Sequence, residues 1–245
     1  MRATWDIIKE NNIIFTVAQR GFENPQLRGS GMEIIKQFGD SFVREWTLFV
    51  QDEQLNEKQE AQFAKYMMLL REASEQISLT TITKPKNIVA HHFRDSLSLR
   101  KFVDMKTFVG LCDVGAGGGF PGIPLKIVFP HLRLVLVEVN NKKIKFLRRV
   151  IQELGLKKCE VYPLDWRTFL RKTEYELDLF CARASLQPEE LLRMFKPSCP
   201  YKDAQLVYWA SELWEPGEKL KSFVRQQELY RIQRKKRKLV FMDLK

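Results

Sequence analysis

From residue 108 onward, short apolar runs alternate with stretches in which apolar residues recur at helical spacing. The runs at 108–114, 132–139, 160–162, 177–182 and 204–209 predict five strands with helices between them. Such alternation predicts an α/β fold with a doubly wound, mostly parallel, Rossmann-like sheet whose ligand crevice lies at the carboxyl edge of the strands. Two last apolar segments, 228–233 and 239–244, predict an antiparallel hairpin that closes the sheet, so its final strand runs against the others. Upstream, Asn56 followed by Gln59 reads as a capped helix start, and Phe63, Met67, Leu70 and Ile77 then recur on one face with Tyr66 and Ala73. That amphipathic face predicts a small helical lobe docked on the sheet. Residues 1–40 are the least legible part, with helical stretches near 5–14 and 32–38 around a glycine-containing break. The predicted division is an extension of unassigned role at 1–40, a helical lobe at 41–105 and the main α/β domain at 106–245.

The first predicted strand runs into DVGAGGGFPGIP, residues 113–124, which sets Gly115, Gly117 and Gly119 at alternate positions before a helical pattern. Glycines there permit a sharp turn and close ligand approach to free backbone N–H groups. A dinucleotide fingerprint needs a glycine at the sixth position of this turn, where Phe120 stands, so a dehydrogenase is disfavoured and an adenosyl cofactor without phosphates fits better. Glu138 ends the second run a little over 20 residues beyond Gly115, the spacing at which an acidic side chain accepts hydrogen bonds from ribose hydroxyls. A glycine-rich turn alone is often only a turn, and a strand-end glutamate is usually solvated. Together they point to a nucleoside site.

Charge changes the picture. With 41 Lys and Arg against 30 Asp and Glu, the 245-residue chain carries a net charge of +11, which favours a polyanionic partner such as nucleic acid. Lys142, Lys145 and Arg149 lie three and four apart on one helical face, with Lys143 and Arg148 nearby, and a second cluster runs through Arg231, Arg234, Lys235, Lys236, Arg237 and Lys238. A charge run is usually a solvated face. This one joins two predicted strands, so Lys142, Lys145, Arg149, Lys235, Lys236 and Arg237 are candidates for gripping RNA phosphates. Cys112, Cys159, Cys181 and Cys199 lack any short ligand spacing and read as buried free thiols. With three histidines, two of them adjacent, no local zinc spacing exists and no metal is expected. No stretch approaches the ~20 apolar residues of a membrane span, and the N terminus lacks an apolar signal core. A cytoplasmic monomer without a membrane partner is expected.

The segment DVGAGGGFPGIPLKIVFP with the helix KKIKFLRRVIQELGL resembles the bacterial glucose-inhibited division protein B family, the small-subunit (16S) ribosomal RNA guanine-N7 methyltransferases. ISLTTIT at 77–83, HFRDS at 92–96 and ARAS at 182–185 are similar to further family segments in order and spacing. The resemblance implies S-adenosylmethionine as cofactor, ribosomal RNA in the small subunit or its precursor as substrate, and a methyltransferase sheet. It places Gly115 and Gly117 against the methionine and ribose portion, Glu138 on the ribose hydroxyls, and Phe120 either at a backbone contact or in packing. Trp166 and Arg167, with Asp165 before them, stand where the family has an apolar-glutamate pair for adenine: either Asp165 accepts from the amino group and Trp166 stacks, or the adenine pocket is altered. Arg183 matches the family's arginine and is expected to hold the cofactor carboxylate or to orient RNA, while His92 and Asp95 either face RNA or pin the lobe.

The implied reaction needs no general base, because guanine N7 attacks with an in-plane lone pair and loses no proton. A cytosine-C5 enzyme would need an activated thiol, and neither Cys181 nor Cys199 has an activating motif. VEVN at the second strand end, the Asp165–Arg167 triplet and Tyr208–Ser211 depart from the family pattern. These departures leave open a methyltransferase retargeted to another RNA base, or a non-catalytic ribosome-assembly factor that kept the fold and the basic surface.

Overall fold

A computed structural model describes residues 30–193, 195 and 199–243. The expected helix near 5–14 lies outside them. In chain order the helices are α1 (Gly31–Lys36), α2 (Asp40–Asp52), α3 (Glu57–Gln76), α4 (Pro85–Ile88), α5 (Asp95–Leu97), α6 (Gly122–Val128), α7 (Asn141–Glu153), α8 (Trp166–Lys172), α9 (Pro188–Arg193) and α10 (Glu218–Lys221). The strands are β1 (Gly110–Val114), β2 (Arg133–Val137), β3 (Cys159–Tyr162), β4 (Leu179–Arg183), β5 (Gln205–Ser211), β6 (Val224–Ile232) and β7 (Lys235–Asp243).

The seven strands form one sheet in the order β3-β2-β1-β4-β5-β7-β6, and β7 runs antiparallel to both of its neighbours. The doubly wound α/β architecture is therefore present, with its antiparallel strand inserted beside β5. Every residue of β1 is buried, because helices cover both faces of this central strand, and its sequence accordingly reads as one apolar run. Register aligns the strand tips: Val114 pairs with Val137 on β2 and with Ala182 on β4. The order reverses between β1 and β4, which opens a crevice at their carboxyl ends.

Two boundaries differ from the sequence pattern. β1 starts at Gly110, and the Asp178 carboxylate accepts from the N–H groups of both Val109 and Gly110 at its head. The hairpin is longer and displaced: β6 begins at Val224, and the basic run belongs to β7 itself instead of a connecting loop. The tight turn is at residues 233–234, where Gln233 has φ +52°. Because β6 forms the sheet edge, Arg225, Gln226, Gln227 and Glu228 are mostly exposed, and this polar edge hides the strand from an apolar-run reading.

The long helix of the lobe starts as its sequence predicts. Asn56 and Gln59 exchange side chain and backbone bonds in a capping box at the head of α3. Gln59 Nε2 also donates to the carbonyls of Ile127 and Val128, and Gln62 Nε2 donates to that of Leu154. These bonds fix α3 to the ends of α6 and α7. Beneath them Phe49, Phe63, Tyr66, Phe93 and Phe120 form a shared core with one face of the sheet. On the opposite face a second core gathers Trp166, Phe169, Phe180 and Tyr201. α1 joins the first core through Ile34 and Ile35.

Candidate active site

The glycine turn closes back on β2: the N–H groups of Gly115 and Ala116 both donate to Val137 O, at 2.9 and 3.0 Å. Gly115 has φ +71°, and a Cβ there would lie 2.5 Å from Ser185 Cβ, so this position excludes any side chain. At Gly117, φ +57°, nothing lies closer to a notional Cβ than Gly115 O at 3.9 Å, so its outer side is open. Glu138 stands directly past β2 and is 8% exposed. Its Oε2 accepts from Gly117 N–H at 2.9 Å, and its Oε1 accepts from Val139 and Asn140 N–H, both at 2.9 Å. The carboxylate is thus aimed by the backbone of both loops that form the crevice.

A cleft of about 390 Å³ lies there, bordered by Gly115, Glu138, Asp165, Trp166, Arg167 and Ser185. That volume falls in the range of small-molecule sites. Trp166 Nε1 and Ser185 Oγ are both buried without a hydrogen-bond partner, and both residues border this cleft. Buried polar groups are normally satisfied, so a ligand with polar atoms fits the walls. Ser185 escaped the sequence reading because it stands where the resembling family has phenylalanine.

The triplet opening α8 differs in part from its expected use. Asp165 caps the helix: Oδ1 accepts from Thr168 N–H at 3.0 Å and Oδ2 from its hydroxyl at 2.6 Å, and these bonds hold its carboxyl below the usual range. Trp166 is not free to stack broadly on a purine. Its ring packs against Phe169, Phe180 and Phe195, and 4% of the residue is exposed. Arg167 stays on the rim, 3.5 Å from Glu190.

Arg183, at the end of β4, turns away from this cleft into a buried network. Its Nη1 donates to Asp95 Oδ2 at 2.7 Å and to His91 O at 3.1 Å, its Nη2 lies 2.8 Å from His92 Nδ1, and the guanidinium covers the Phe120 ring at 5.3 Å. Phe120 in turn stacks on His92 at 4.3 Å with 9° between the planes. The Phe120 side chain is therefore packing. Burial, then the Arg183 charge, pushes the His92 imidazole down to about 3. The neutral ring accepts from Arg183 at Nδ1, which assigns the proton to Nε2, 3.0 Å from Thr80 Oγ1. Buried and bonded at both nitrogens, His92 ties the helical segment of the lobe to β4.

Asp95, 1% exposed, is the hub of this network, and the sequence gives it no such prominence. Besides Arg183 it accepts from the Tyr230 hydroxyl at 2.7 Å, and Arg237 Nε lies 3.1 Å from Oδ1 without hydrogen-bond geometry. Trp209 Nε1 donates to its backbone carbonyl at 3.0 Å. Asp113, inside β1, is a second buried carboxyl that the sequence reading passed over, although an acid within an apolar strand is its signal. It accepts from Gly122 N–H at 2.7 Å, and burial raises it to about 7.

The expected RNA contacts divide. Lys142 and Lys145 are exposed on α7, and Lys235 is exposed at the start of β7. Arg149 is engaged by both oxygens of Glu72, at 2.9 and 3.1 Å, tying α7 to α3. Lys236 pairs with Glu212 at 2.7 Å, and Arg237 turns inward to Asp95. Arg149, Lys236 and Arg237 thus each lie beside a carboxylate of the fold.

Cys112, Cys181 and Cys199 are buried, whereas Cys159 is half-buried with its thiol pushed up to about 12 by desolvation. Among the described residues no His, Cys, Asp and Glu side chains gather as a metal-binding group, and no helix is long and apolar enough to cross a membrane.

Comparison with known proteins adds to this geometry. The family model described as rRNA small subunit methyltransferase G, GidB, matches residues 59–242. A ribosomal RNA small subunit methyltransferase G of Geobacillus sp. is 42% identical over 139 residues, covering 56% of this chain and 58% of the relative. One of Listeria welshimeri is 38% identical over 161 residues, covering 65% and 68%. The matched region thus spans little more than half of the Geobacillus relative. Among solved structures, MtNAS in complex with MTA and tNA superposes with a TM-score of 0.52 at 17% identity, over 87% of this chain and 85% of that one. A SAM dependent methyltransferase from Aquifex aeolicus gives 0.50 at 16%, over 67% and 96%. At such identities the likeness is one of fold.

Proposed function

Because this chain belongs to the rRNA small subunit methyltransferase G family, we propose that it transfers a methyl group from S-adenosylmethionine to N7 of a guanine in 16S ribosomal RNA. Its partner is the small ribosomal subunit or its RNA precursor, met in the cytoplasm. The observation that carries this reading is the cleft at the sheet's switch point, with Gly115 and Ser185 on its walls and Glu138 aimed by the backbone N–H of Gly117.

The cleft residues fit the cofactor. Glu138 has acceptor capacity left for ribose hydroxyls beyond its three backbone bonds. Ser185 Oγ and Trp166 Nε1 offer polar atoms that lack partners within the protein. Bound S-adenosylmethionine supplies an electrophilic methyl group on a sulfonium. Guanine N7 attacks without losing a proton, so the residues need only orient the base, exclude water and tolerate positive charge passing to the purine. The buried Asp95–Arg183 pair holds the rim of β4 rigid for that alignment.

Calorimetry with S-adenosylmethionine tests the reading, with nicotinamide dinucleotide as the competing ligand. Saturable one-to-one binding of the first and none of the second is expected. Binding of RNA without binding of S-adenosylmethionine would instead make the chain an assembly factor.

A further inference from the structure

A groove of about 790 Å³ runs between α2, the helical turn around His91 and the tip of the β6–β7 hairpin. Its two acids are already matched: Glu45 meets Lys86 at 2.8 Å and Asp52 meets Arg94 at 2.9 Å. Arg44, from the lobe, and Arg234 and Lys235, from the hairpin tip, remain as surplus exposed cations on opposite walls. Five cations against two carboxylates leave the groove with an excess of three positive charges. Elements distant in sequence therefore converge like charges in one concavity, at an electrostatic cost that an anionic partner would relieve.

One wall of the groove is tied to the strand end that borders the cofactor cleft. His91 borders the groove, and the carbonyl of His91 accepts from Arg183 at the end of β4, one residue before Ala184 on the wall of the cofactor cleft. Burial, and next the nearby Lys235, hold the His91 imidazole below its ordinary range, so it faces the groove mainly as a neutral hydrogen-bonding group. A strand laid in the groove would have its phosphates beside Arg44, Arg234 and Lys235 and its next nucleotides near the crevice.

We propose that this groove is the seat of the RNA backbone: Arg44, Arg234 and Lys235 grip phosphates and deliver the strand to the end of β4. The proposal rests on the methyltransferase reading for its choice of RNA. It moves the grip from the run Lys235–Arg237 and the α7 face to a surface shared by lobe and hairpin, with Arg44 as a member that lies far from both in sequence.

The test is a salt titration of polyuridylate binding for wild type, for Arg44→Gln/Arg234→Gln/Lys235→Gln and for Lys142→Gln/Lys145→Gln. The five side chains are exposed, so both variants should keep the wild-type circular dichroism and melting temperature. Loss of the groove cations should flatten the slope of log K against log salt by about 0.7 per lost contact and leave S-adenosylmethionine affinity unchanged. The methylated position in small-subunit RNA should not move, since phosphate contacts position and do not specify. An unchanged slope in the groove variant, an equal or larger flattening in the α7 variant, or a wild-type chain that does not bind polyuridylate overturns the proposal. Failure of the methyltransferase reading would appear separately, as absent S-adenosylmethionine binding in the wild type.

Discussion

Glu138 is held by three backbone N–H groups, from Gly117, Val139 and Asn140, so its position is set by the protein before a ribose arrives. Removing it deletes charge-assisted hydrogen bonds to the ligand, an effect of about 1.5–3 kcal/mol, or roughly ten- to hundredfold in affinity. Glu138→Ala is therefore expected to raise the calorimetric Kd for S-adenosylmethionine by that factor; an unchanged Kd would contradict the ribose assignment. This residue and the glycines were legible because spacing along one short stretch fixes both. Ser185 was not, since its role depends on meeting Gly115 across two strands. The burial of Trp166 was not legible either, because an aromatic residue at a helix start reads alike whether it faces a ligand or a core.

At the scale of elements, the Arg183–Asp95 pair joins β4 to the helical segment of the lobe, and Tyr230 joins the hairpin to both. The two side chains are 11% and 1% exposed, and removing Asp95 leaves Arg183 with neutral partners only and Arg237 without its carboxylate. Asp95→Ala is expected to lower stability by about 3–5 kcal/mol in urea unfolding. In a double-mutant cycle, Asp95→Ala/Arg183→Ala should cost less than the two single changes added together. Strict additivity would mean that the pair contributes nothing, and any activity lost in Arg183→Ala must be corrected for its folded fraction. The histidine-to-serine motif at 92–96 was visible in the sequence, but its partners stand about 90 and 135 residues away. Strands β1, β2, β4 and β5 were legible because burial on both faces leaves continuous apolar runs. The start of β6 was hidden because an edge strand must stay polar.

For the whole molecule, two buried groups make opposite contributions to the pH dependence of stability. Asp113 titrates at about 7 in the fold and at about 3.9 when unfolded, so its contribution is fully present below pH 4 and is lost as pH rises toward 7. His92 titrates at about 3 in the fold and at about 6.5 when unfolded, so its contribution is present above pH 6.5 and is lost as pH falls toward 3. Between about pH 4 and 6.5 the two slopes oppose, each reaching at most about 1.4 kcal/mol per pH unit. Asp113→Asn removes one of them while an amide oxygen still accepts from Gly122. Urea unfolding across this window should then show stability climbing with pH more steeply than in wild type. Parallel profiles would place the Asp113 titration at its ordinary value.

The central claim joins the cofactor cleft, the crevice at β4 and the basic surface into one reaction on RNA. It is tested most directly by incubating the chain with methyl-labelled S-adenosylmethionine and small-subunit ribosomal RNA that lacks the modification, digesting the RNA to nucleosides and separating them. The account predicts label in 7-methylguanosine alone, with a yield that approaches one per RNA. Tight cofactor binding with no transfer, or label in any other nucleoside, would contradict it.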